Sequence, residues 1–140
     1  MSWRSQMILR RLVLAVLIFA APAAYALDKD PYLFDMLKEP AYLAAWKAML
    51  KGEQVPAWVA SYAKTFDGPS NPSKTVNLGG KDYLLAFVCK AHDCGDNQLY
   101  VLFAPQGKQA WGLLVAGSNQ KWLGKPDAPI QAAITSNMNQ

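Results

Sequence analysis

The chain has 140 residues, is 52% apolar and carries a formal charge of +4, which suits one packed domain and excludes wholesale disorder. All three arginines, Arg4, Arg10 and Arg11, precede residue 27, leaving 11 lysines against 10 acidic residues beyond it. A net +1 without arginine over that stretch excludes a nucleic-acid binder, which needs clustered positive charge and guanidinium forks.

The first predicted element is a secretory signal over residues 1–26. Its charged region is Arg4, Arg10 and Arg11, and its apolar stretch is Leu12 to Phe19, extended by Ala20 and Ala21. Ala24-Tyr25-Ala26 is a small-x-small cleavage site, which places the mature start near Leu27 and the protein in the periplasm. An uncleaved anchor needs about 20 apolar residues, and Leu12 to Ala26 falls short. No cysteine follows the cleavage site, so a lipoprotein is not expected. Residues 27–140 then form a single domain.

Asp30-Pro31 predicts a helix start, with Asp30 as N-cap and Pro31 at the first helical position. A second helix is predicted from Pro40 to Leu50, where Leu43, Trp46, Met49 and Leu50 recur at helical spacing and Gly52 supplies the stop. Val55 to Val59 predicts a short helical turn entered through Pro56. Phe66 to Ser73 holds glycine, two prolines and small polar residues and reads as a loop.

The period then changes. Thr75 to Leu78 predicts a strand, Gly79-Gly80 a hairpin turn, and Tyr83 to Val88 a strand apolar on both faces and therefore central. Leu99 to Ala104 and Ala110 to Ala116 are further strands, joined by a turn at Pro105 to Lys108. Gly117-Ser118-Asn119 turns the chain again, and Lys121 to Leu123 is a short fifth strand. Asp127 caps a last helix from Ala128 to Ser136. Helices, antiparallel meander, helix: that order predicts an α+β layer fold. Trp46, Trp58, Trp111 and Trp122 read as core residues rather than sugar platforms, and Tyr100 and Phe103 as packing.

The loop between the second and third strands is Cys89-Lys90-Ala91-His92-Asp93-Cys94-Gly95. In an oxidising compartment so close a pair of cysteines is most simply a disulfide. The spacing is wrong for a redox C-x-x-C site, and four metal ligands within six residues would strain tetrahedral zinc. No metal and no cofactor is called for. The closed ring displays Lys90, His92 and Asp93, and Gly95 is expected to supply backbone freedom where the chain rejoins the sheet. His92 is the single histidine, with an imidazole that donates from both nitrogens when protonated. Taken alone, these residues describe a rigid protruding tip without a stated target.

The tip resembles that of the Ivy family, periplasmic inhibitors of vertebrate lysozyme, in which a disulfide-closed loop reads C-K-P-H-D-C. Val55-Pro56-Ala57-Trp58-Val59 is similar to the family's L-P-A-W-V segment, Thr75-Val76-Asn77-Leu78-Gly79 to its T-V-x-L-G segment, and Trp122-Leu123 to a late W-L pair. Gly95 follows the second cysteine as the family's glycine does. The likeness runs from about Val55 to Leu123 and is looser at both ends. It implies a central antiparallel sheet of about five strands flanked by helices, in α/β/α layers. It implies an inhibitor rather than an enzyme, whose loop enters the active-site cleft of c-type lysozyme. His92 would contact the two catalytic carboxyl groups and Asp93 would add polar contacts inside the cleft. Lys90, read from the residues alone, is a solvated rim charge. One departure stands out: the family's proline is Ala91 here.

Other readings change the target. The same plug could regulate endogenous lytic transglycosylases, or the chain could be an envelope binding module without an enzyme target. The family likeness also allows a homodimer. An enzyme reading has little to work with: one histidine, two cysteines expected to be oxidised, and no clustered carboxylate pair.

Overall fold

The computed structural model describes Leu27 and residues 29–138; the export signal predicted over residues 1–26 lies outside them. Three helices come first: α1 (Leu33–Met36), α2 (Pro40–Leu50) and α3 (Ala57–Thr65). Five strands follow as a meander: β1 (Ser70–Leu78), β2 (Lys81–Cys89), β3 (Asn97–Phe103), β4 (Ala110–Ala116) and β5 (Asn119–Leu123). Helix α4 (Ala128–Asn137) closes the chain. The sheet runs in sequence order, β1-β2-β3-β4-β5, with every pairing antiparallel. This is the α+β fold the pattern predicts.

Strand alternation sorts the core onto two faces. Ala86, Val88, Leu99, Val101 and Phe103 pack with Leu33, Met36, Trp46, Met49, Val59 and Tyr62 of the first three helices. Leu85, Tyr100, Leu102 and Leu113 pack with Ile130, Ala133 and Ile134 of α4. Helices therefore cover both faces, and β2 is buried on both, as its apolar run requires. The middle strand by position is β3; β2 lies between it and the edge strand β1. Of the tryptophans, Trp46 is buried, while Trp58, Trp111 and Trp122 are half-buried against the two clusters.

Three local expectations need correction. Helix α1 does not start at Asp30-Pro31; its N-cap is Tyr32. The Pro31 carbonyl instead accepts the Ser73 amide at 3.0 Å, which holds residue 31 against β1 and outside the helix. Helix α3 runs well past Val59, because Val59 and Tyr62 continue the buried face for another turn. It ends at Phe66, left-handed at φ 51°, whose amide bonds Tyr62 O at 2.8 Å. Strand β1 begins at Ser70, inside the predicted loop. Pro72 is accommodated because β1 is an edge strand and its pairing with β2 is interrupted between Asn71 and Lys74.

Other signals are used as read. Helix α2 spans Pro40–Leu50 with proline in its first turn. Gly79 and Gly80 both have positive φ, +57° and +80°, as a two-residue hairpin of type I′ requires. Asp127 Oδ1 accepts the Ile130 amide at 3.1 Å and caps α4. Tyr62 is fully buried between α3 and the sheet. Burial pushes its hydroxyl up to about 12, the Ser70 hydroxyl opposing and the Asp35 carboxylate adding to the rise. The Tyr62 and Ser70 hydroxyls influence each other without aligning into a well-formed hydrogen bond.

Candidate functional site

Strands β2 and β3 are joined by the cysteine ring at one end of the sheet. Cys89 and Cys94 form a disulfide, with Cα atoms 4.9 Å apart. Cys89 is fully buried at the end of β2, whereas Cys94 is exposed. One half-cystine thus roots the ring in the core and the other lies at the surface.

The root is tightly packed. The Cys89 amide donates to Pro69 O at 3.0 Å. Gly68 takes φ +138°, and a Cβ there would lie 2.4 Å from Cys89 O, so only glycine fits. On the other side the Gly117 amide of the β4–β5 turn donates to Asp96 O at 2.7 Å. Gln98 Nε2 donates to Cys94 O at 3.0 Å, and Tyr100 Oη donates to Gln98 Oε1 at 2.9 Å.

Inside the ring the backbone turns once. The Asp93 amide donates to Lys90 O at 3.1 Å, closing a turn with Ala91 and His92 at its centre. His92 has φ +64° and Ala91 is not among the residues of positive φ. Positive φ at the second central residue alone is the pattern of a type II turn. Histidine is one of the non-glycine residues that tolerate this region.

The polar side chains divide by direction of use. Asp93 is engaged within the loop: its Oδ2 accepts Asn97 Nδ2 at 2.8 Å and lies 3.7 Å from Lys90 Nζ. Its carbonyl accepts the Asn97 amide at 3.1 Å. His92 is exposed and has no hydrogen-bond or ion-pair partner among the described residues. The structure therefore brings Lys90, Asp93 and Asn97 together and leaves the imidazole available.

Gly95 departs from expectation. It does not take a left-handed φ, and a Cβ there would meet nothing within 4 Å. The positive φ of the loop falls on His92 instead, because that residue, not Gly95, makes the reversal. Asn97 and Gln98 carried no local signal in the sequence, while Gly68 and Gly117 were read only as parts of a loop and a turn, not as supports of the ring.

Concave surfaces lie elsewhere. A groove of about 700 Å³ between α2 and α3 is lined by Leu43, Trp46, Leu50, Val55, Ala60 and Ala63. Its one carboxylate, Glu53, pairs with Lys121 at 3.1 Å. Among the described residues no group of three or more His, Cys, Asp or Glu is placed to hold a metal ion, and no helix is long and apolar enough to cross a membrane. The ring's exposed residues do not line the groove between α2 and α3.

Residues 41–140, well over half of the chain, match the family model described as inhibitor of vertebrate lysozyme (Ivy). The chain belongs to the Ivy family. A Pseudomonas aeruginosa protein named inhibitor of vertebrate lysozyme is 35% identical over 126 residues, covering 79% of this chain and 80% of the relative. An Escherichia coli K12 protein of that name is 30% identical over 107 residues, 76% of this chain and 64% of the relative. A Yersinia pestis protein described only as uncharacterized is 32% identical over 146 positions, 87% of this chain and 92% of the relative. By the names its members carry, the Ivy family consists of inhibitor proteins rather than enzymes.

Proposed function

We propose that this chain is a periplasmic inhibitor of c-type lysozyme, exported through residues 1–26, with residues 27–140 as its single inhibitory domain. The Cys89–Cys94 ring is the plug and His92 its working group. The carrying observation is the ring's division of labour: Asp93 is bonded inward while His92 is exposed and unpaired among the described residues.

The chemistry of the target suits that tip. A retaining muramidase places a protonated carboxylic acid and an ionised carboxylate about 5 Å apart around the scissile bond. An imidazole between them occupies the space of the leaving oxygen and donates to one or both carboxyl groups. Such charge-assisted bonds are about twice as strong as neutral ones, and the two carboxyl groups favour the charged imidazole. A ring already held by a disulfide and by cross-loop bonds loses little further freedom on binding. The inhibitor needs no nucleophile, base or metal of its own. In this reading Lys90 makes a rim contact, supported by its exposure beside the tip.

An inhibition titration against a c-type lysozyme tests the reading, with His92→Ala as the variant. The expected loss is about 2 kcal/mol or more, as for a buried interface anchor. A folded His92→Ala protein with an unchanged inhibition constant would overturn it.

A further inference from the structure

We infer that Asn97 is the positioning residue of the inhibitory ring, holding both ends of the turn that presents His92. The inference rests on the reading of the ring as a plug. Asn97 opens β3 and stands in register with Ala116 of β4, so its backbone belongs to the sheet. From that fixed point it makes three bonds into the ring. Its amide donates to Asp93 O at 3.1 Å, its Nδ2 donates to Asp93 Oδ2 at 2.8 Å, and its carbonyl accepts the Lys90 amide at 3.0 Å.

Those contacts fall on Lys90 and Asp93, the first and last residues of the turn centred on Ala91 and His92. The disulfide joins the ends of the ring but does not by itself set the torsions of the four residues between them. Asn97 couples those residues to the sheet. It also occupies Asp93, which keeps that carboxylate from competing for the imidazole.

The residue type follows from the contacts. The position needs a side-chain donor toward a carboxylate, and an amide supplies one without adding charge. Aspartate there would set two carboxylates against each other. Substitution at 97 keeps the two backbone bonds and removes the side-chain bond to Asp93 Oδ2. With that end of the turn loosened, the ring samples other turns and only a fraction remains competent to enter a cleft. Apparent affinity falls by that fraction. The loss appears in the association rate, because a complex once formed holds the ring in the same bound shape.

Association and dissociation rates of Asn97→Ala and His92→Ala with a c-type lysozyme, measured by surface plasmon resonance, test this, with thermal melts confirming that each variant is folded. Asn97→Ala is expected to slow association about tenfold and leave dissociation unchanged, as a competent fraction of about one tenth requires. Adding Ala91→Pro should restore much of the association rate, since proline restricts the same turn. His92→Ala should speed dissociation. Should Asn97→Ala not fold, the isosteric Asn97→Asp is read in its place by the same criteria. Unchanged association in a folded variant overturns the positioning role. So does faster dissociation at unchanged association, which would make Asn97 a direct contact. Loss of inhibition in His92→Ala but not in the Asn97 variant overturns positioning alone, whereas no loss in either overturns the plug as well.

Discussion

Ala91 and His92 share the centre of one turn, and of the two only His92 takes a positive φ, +64°. Ala91 therefore holds the position that proline favours in a type II turn. The family proline absent here is thus a compatible residue, not a strained one. The Lys90 amide still bonds across to Asn97 O at 3.0 Å, so the residue before the turn remains in the ladder. Ala91→Pro is expected to raise stability by about 0.4–1 kcal/mol, through the unfolded chain. The urea midpoint of the oxidised protein measures it. A lower midpoint would show that Ala91 lies outside the proline region.

His92 combines an unusual backbone with the one free imidazole, and a glycine separates the two. A non-glycine residue in the left-handed region costs roughly 1–2 kcal/mol, a cost that glycine lacks at the expense of a freer unfolded chain. His92→Gly is expected to change stability by no more than about 1 kcal/mol and to weaken lysozyme inhibition by about 2 kcal/mol or more. Parallel unfolding and inhibition curves check both. Retained inhibition would mean that ring shape, not the imidazole, blocks the enzyme.

Reduction of Cys89–Cys94 probes the ring as a whole. Cysteines five positions apart close a very short loop, and chain-entropy reasoning assigns it about 2 kcal/mol. The greater loss is expected in inhibition, because four residues of the plug lose their covalent frame. The comparison is made at a temperature where both forms are folded by circular dichroism. Equal inhibition before and after reduction contradicts a preorganised plug.

Tyr62 makes stability depend on alkaline pH. Its folded hydroxyl is pushed up to about 12 from an ordinary 10.0. The folded state therefore keeps the proton longer than the unfolded state. Stability is whole below about pH 10 and falls as pH rises toward 12, by on the order of 2 kcal/mol. Tyr62→Phe is expected to remove this slope, leaving the smaller effects of Tyr42 and Tyr100, which burial also raises. Denaturation midpoints from pH 8 to pH 12 read it directly. An unaltered slope in Tyr62→Phe would assign the loss to other groups.

Local chemistry made much of the fold legible. Trp46 and Met49 mark α2 because a helix face repeats every three to four residues. Gly79-Gly80 marks a hairpin because two positive φ values are needed in succession. Asp127 marks α4 because its carboxylate can reach an unpaired amide of the first turn. The failures share one cause. Pro31 reads as a helix start, but its carbonyl belongs to Ser73, forty-two positions on. Pro72 reads as loop, but an edge strand with a break in its pairing can hold it.

The candidate site follows the same division. Which cysteines pair, which residues the ring contains and which family it resembles are settled by the order of residues within a short span. That His92 stands exposed at a left-handed turn while Asp93 is drawn back to Asn97 is a property of the folded chain. So are the seating of Cys89 against Gly68 and Pro69 and the tie from Asp96 to Gly117. Composition and periodicity record only what neighbours along the chain prefer. The direction a loop faces is decided by hydrogen bonds and close packing between segments that meet only once the sheet has formed.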